Sequence, residues 1–144
     1  MQTLHTCKAV VITCIDFRFQ DFIDQWLEKH FTPRDFDRVA LGGGVKNLGV
    51  ILSQIKISHD MHHIEKVILI NHENCGAYAE ADTPEKHAHD LLETKTKIKE
   101  LYPDLDIETY YLHLDGEFEP VSLSESQWLE TAPSLQASGQ NISI

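Results

Sequence analysis

Two short stretches of this chain carry residue types that can hold a metal and activate water. Cys14-Ile15-Asp16-Phe17-Arg18 offers a thiol, a carboxylate and a guanidinium at every second position. His72-Glu73-Asn74-Cys75-Gly76 offers an imidazole and a second thiol three residues apart. In an extended segment the side-chain period is two, so Cys14, Asp16 and Arg18 are expected on one side. At the start of a helix, His72 and Cys75 would share a face. Two thiolates and one imidazole suit zinc, and three protein ligands leave the open fourth position that separates a catalytic zinc from a structural one. The thiolates neutralise the charge of the ion, yet the pKa of a bound water still falls far below that of bulk water.

The elements that must position these residues alternate along the chain. Ala9–Thr13 is a β-branched run, the pattern of a strand buried on both faces. Gln20–Phe31 places Phe22, Ile23, Trp26, Leu27, His30 and Phe31 on one helical stripe, which Pro33 helps to stop. Arg38–Leu41 reads as a second strand, ended by Gly42-Gly43-Gly44. Leu48–Met61 reads as a helix with Leu48, Ile51, Leu52 and Ile55 inward. Lys66–Ile70 is a third buried strand, and Pro84–Leu101 a long charged helix with Leu91, Leu92, Ile98 and Leu101 as its apolar face. Ile107–Leu114 is a fourth strand, followed by the turn signal Asp115-Gly116. Strand–helix alternation predicts an α/β domain with a doubly wound, mainly parallel sheet of four to five strands. Ligands of such sheets collect beyond the carboxyl ends of the strands, where strand order reverses. Both motifs and the glycine triplet follow strands.

Composition bounds the rest. The 144 residues make one domain, 1–144, with 42% hydrophobic and 24% charged residues. The polar segment 121–144, with Trp128 and Leu129, is expected to dock on the core or on a partner subunit, or to fray. A net charge of −11 argues against nucleic acid and anionic membrane surfaces as partners. No apolar run reaches the ~18 residues of a membrane span, and no signal peptide is evident, so the expected compartment is the cytoplasm. Three cysteines at wide spacing make a poor disulfide framework.

With both motifs 58 positions apart, the chain resembles the β-class carbonic anhydrases from about Lys8 to Val121. Cys14-x-Asp16-x-Arg18 is similar to the first zinc motif of that family, and His72-x-x-Cys75-Gly76 to its second. "YYLHLDGEFEPV" is similar to its last core strand and the turn after it. The resemblance implies one zinc per chain on Cys14, His72 and Cys75, no organic cofactor, and a catalytic Asp16–Arg18 dyad. In the active form Arg18 ties down Asp16, which orients the zinc-bound water or hydroxide. In a closed form Asp16 becomes the fourth ligand. The implied reaction is attack of zinc hydroxide on carbon dioxide to give bicarbonate, in a homodimer or higher homo-oligomer. The chain departs from the family around Leu41–Gly49, at Phe17 and at Asn71, and the family's N-terminal helical arm is not expected from Met1–Lys8. Phe17 and the altered loop would also suit a related heterocumulene, carbonyl sulfide or carbon disulfide. A zinc-holding but catalytically silent protein is the alternative of a different class.

Plainer readings stand beside these. Cys14 and Cys75 taken singly are ordinary buried thiols, and Asp16–Arg18 an ordinary ion pair. Cys7 reads as a plain thiol ahead of the first strand. The His59–His63 cluster invites a second metal, but such a cluster is more often the polar end of a helix. His87 and His89 read as solvated on a charged helix. The Gly42–Gly44 loop is either a tight turn or an anion cradle. A phosphatase loop and a Cys-x-x-Cys pair are both absent.

Overall fold

The computed structural model describes residues 4–122. Trp128, Leu129 and the rest of 123–144 lie outside the described residues, as do residues 1–3. Five strands, β1 (Ala9–Cys14), β2 (Phe36–Leu41), β3 (Lys66–His72), β4 (Asp106–Leu112) and β5 (Phe118–Pro120), form one sheet in the order β2-β1-β3-β4-β5. The first four are parallel and β5 runs antiparallel to β4. All six residues of β1 are buried, which is why the run AVVITC lacks polar alternation.

Helices cover both faces. α1 (Gln20–His30) packs Ile23 and Leu27 against Val11, Ile68, Ile70 and Leu112. α2 (Leu48–His62) and α3 (Pro84–Leu101) bury Ile51, Ile55, Leu91 and Ile98 against Val10, Ile12, Val67 and Leu69 on the other face. Consecutive β1 residues therefore serve opposite layers, as strand geometry requires. Each long helix of that layer starts on a side-chain cap: Asn47 Oδ1 accepts from Val50 N at 3.2 Å, and Thr83 Oγ1 from Lys86 N at 3.1 Å, with Pro84 in the first turn.

The chain leaves β1 toward β2 on one side, and β3 lies on the other. Strand order thus reverses between β1 and β3, and the residues ending those strands are Cys14 and His72. The α/β expectation holds, with differences at the margins. β2 begins at Phe36 and β3 runs on through Asn71 and His72. Leu101, expected on the apolar face of its helix, is 59% exposed because α3 ends there and the chain turns away. His87, expected in solvent, is fully buried. Val121, the start of the expected tail, is half-buried and donates its backbone N–H to the Thr109 carbonyl at 2.9 Å.

Candidate metal centre

Cys14, His72 and Cys75 meet at the carboxyl edge of the sheet, with their ligand atoms within 4.8 Å of one another. All three are buried, exposed by 6%, 3% and 3% respectively. The route differs from the one expected. His72 ends a strand instead of starting a helix, and Cys75 is brought back by a left-handed turn at Asn74, with φ 59°. Asparagine tolerates that conformation better than most residues. Asp16 and Arg18 likewise leave the strand: Asp16 caps the short 3-10 turn Phe17–Phe19 by accepting from Arg18 N at 2.9 Å.

The His72 ring is oriented from both sides. Its Nδ1 donates to the Glu73 carbonyl at 2.7 Å, and Phe19 packs on it with ring centroids 4.1 Å apart. A carbonyl can only accept, so Nδ1 carries the proton and Nε2 holds the lone pair. That Nε2 is buried without a hydrogen-bond partner, the one such side-chain atom among the described residues. Buried polar atoms are rarely left so, and the atoms beside this one are two sulfurs.

The thiols are electrostatically unequal. Burial pushes the Cys14 thiol up, but His72 and the backbone amides of Gly43 and Asp16 outweigh burial and bring it down to about 7. For Cys75, burial and then the nearby Cys14 charge both push the thiol up. Two adjacent thiolates repel, so keeping both ionised calls for a cation between them.

Beside the thiols, Arg18 grips Asp16. Nη2 reaches Oδ2 at 2.6 Å, and Nε lies 3.1 and 3.2 Å from the two carboxylate oxygens. Arg18 is itself anchored by the Asn74 side-chain and backbone oxygens at 2.9 and 2.7 Å. These bonds hold the Asp16 carboxyl down at about 2, so it is ionised at any working pH. Asp16 Oδ2 lies 3.9 Å from His72 Nε2, facing the three-ligand cluster while tied to the arginine.

A buried polar network backs the centre. Asn71 Oδ1 accepts from Val45 N at 3.1 Å, while Asn71 Nδ2 donates to His87 Nδ1 at 2.8 Å and to the Tyr78 hydroxyl at 3.0 Å. His87 Nε2 donates to Asp82 at 2.7 Å, and the other Asp82 oxygen accepts from Cys75 N at 3.2 Å. Burial keeps His87 neutral, consistent with that donor–acceptor order. The glycine triplet joins the same structure: Gly43 N donates to Cys14 Sγ at 3.4 Å, and Gly44, at φ 60°, has no room for a Cβ, which would sit 2.4 Å from Asn71 Oδ1. The segment after β2 that borders the centre is therefore the triplet, while Asn47 serves as the α2 cap. Asn74, Asp82 and His87 were not singled out from sequence as site residues. Only the position of Asn74 between His72 and Cys75 hinted at its role.

A family described as putative carbonic anhydrase matches residues 4–122. A protein of Rickettsia bellii described as uncharacterized is 31% identical, over 84% of this chain and 85% of its own length. Among solved structures, a carbonic anhydrase from Glaciozyma antarctica is similar, with TM-score 0.63 and 17% identity over 83% of this chain and 85% of that one. A carbonic anhydrase from Streptococcus mutans is similar at TM-score 0.63 and 16% identity, covering 85% and 86%.

Proposed function

The chain belongs to the putative carbonic anhydrase family, and on that footing we propose that it interconverts carbon dioxide and bicarbonate with one zinc ion held by Cys14, His72 and Cys75. The observation that carries this reading is the buried, unpartnered His72 Nε2 beside two thiols. The donor set fits zinc: two sulfurs and an imidazole nitrogen are its preferred ligands, and a dication offsets both the cost of burying the thiolates and their mutual repulsion. When bound, zinc supplies the Lewis acidity that brings a coordinated water's pKa toward neutrality.

The residues of the chain supply orientation. Asp16, ionised and tied to Arg18, accepts a hydrogen bond from the attacking water and leaves a lone pair of its oxygen free for the carbon of carbon dioxide. Addition gives bicarbonate, and one proton passes to solvent. Arg18 acts through Asp16 as a positioning residue, and Asn74 acts through Arg18. The pair held between Arg18 and Asp16 supports the open form, in which the carboxylate is not a metal ligand. Among the described residues no helix is long and apolar enough to cross a membrane. Ile15 and Phe17, 62% and 86% exposed next to the dyad, support a subunit contact at this edge and hence a homo-oligomer.

The test is stopped-flow carbon dioxide hydration on protein of measured zinc content, across pH ~7 to ~9, where such a water titrates. About one zinc per chain at this centre, with hydration rising with pH, supports the reading. Zinc without hydration redirects it to carbonyl sulfide, carbon disulfide or a silent centre. A Cys75→Ala variant that keeps this zinc refutes the ligand set.

A further inference from the structure

A second convergence of ligand types lies at the opposite edge of the sheet. Cys7 precedes β1, Asp37 lies in β2 opposite Val10, and His62 is the last residue of α2. Their ligand atoms lie within 4.8 Å of one another and all three are half-buried. At ~3.3 Å per residue of strand, the seven residues from Cys7 to Cys14 put this cluster roughly 20 Å from the first centre. From these observations we propose a second transition-metal site on Cys7, Asp37 and His62, of the kind that takes zinc.

The three groups are placed by structure and not merely near one another. Cys7 N donates to the His62 carbonyl at 3.1 Å, which ties the loop before β1 to the end of α2. Asp37 Oδ2 accepts from His62 Nδ1 and from Ser58 Oγ, both at 2.6 Å, and Ser58 is buried. A bound cation would replace the proton of the His62–Asp37 hydrogen bond, with the imidazole keeping its one proton on Nε2 and the Cys7 thiol releasing its own to solvent. Ser58 would still orient the carboxylate, the usual role of a group behind a metal ligand. The His5 ring packs at a tilt against that of His62, with centroids 5.0 Å apart. Cysteine, histidine and aspartate together suit zinc or a neighbouring transition metal and not magnesium or calcium, which prefer oxygen alone. The site uses none of the residues of the first centre, so it stands or falls independently of the activity proposed above.

The test is metal content of the full-length protein after equilibration with zinc and removal of excess. Two equivalents per chain are expected in the natural sequence. Cys7→Ser and His62→Gln should each lose one, while Cys75→Ser keeps the one that depends on Cys7. Protection supplies a reading without substitution: saturating zinc should shield Cys7 from alkylation, mapped by mass spectrometry. A metal content that both Cys7→Ser and His62→Gln leave unchanged, or full alkylation of Cys7 under saturating zinc, would each overturn the site.

Discussion

At the scale of single residues, the centre depends on groups whose alternatives are few. Asp16→Asn keeps the size of the side chain but removes the charge that Arg18 holds. Its expected effect is unchanged zinc content and a loss of about 10²-fold or more in kcat/KM for hydration, the range for a positioned acid–base group. Unaltered turnover would remove Asp16 from the mechanism. Gly44→Ala places a methyl against Asn71 Oδ1, which is pinned by Val45 N, and forces alanine to a positive φ. The expected cost is about 1–3 kcal/mol, read as a lower urea midpoint. The convergence of Cys14, His72 and Cys75 was legible in the sequence because both motifs follow strands whose carboxyl ends share one edge of the sheet. The geometry that gathers them was not. A left-handed turn at Asn74 depends on contacts to Arg18, 56 residues away in sequence, and local spacing carries no record of them. His87 was misread for a related reason. Its helix is charged overall, and the face that Asn71 and Asp82 cover is set by tertiary packing.

At the scale of elements, the four longer strands were legible, with shifted ends, and the shortest was not. β5 has three residues and exists through its pairing with β4, so no periodicity announces it. β3 extends into Asn71 and His72, polar side chains held inside the fold by Val45, Tyr78, His87 and the Glu73 carbonyl, which a hydrophobicity pattern cannot register. The β3–β4 pair also carries an ionic clamp between Lys66 and Glu108. Burial raises the Glu108 carboxyl, but hydrogen bonds from Lys66 and Tyr110 outweigh it and leave the pKa below its ordinary 4.5. A depressed carboxylate stabilises the fold above its unfolded pKa and loses that contribution as pH falls through the folded value. Glu108→Gln is therefore expected to flatten the loss of stability below pH ~4.5, measured by urea unfolding at a series of pH values. An acid limb identical to that of the natural sequence would show the clamp to be inert. In the core, Ile12→Ala should cost about 2–5 kcal/mol, because the side chain is fully buried between β2, β3 and the α2–α3 layer.

At the scale of the whole molecule, the metal reading makes stability depend on a ligand. An ion that binds only the folded chain stabilises it by mass action. Chelation is expected to lower Tm and zinc to restore it, and Cys75→Ala should abolish that response at the first centre. A Tm indifferent to chelator would count against any bound metal. The reversal of strand order between β1 and β3 has a further consequence in time. Cys14 leaves the ribosome 58 residues ahead of His72, about 3 to 12 s at ~5–20 residues/s. Through that interval the first thiol is synthesised but its partners are not. The centre closes only when β3 docks beside β1, so on the metal reading uptake of the ion would mark, on the nascent chain, the moment at which the middle of the sheet is complete.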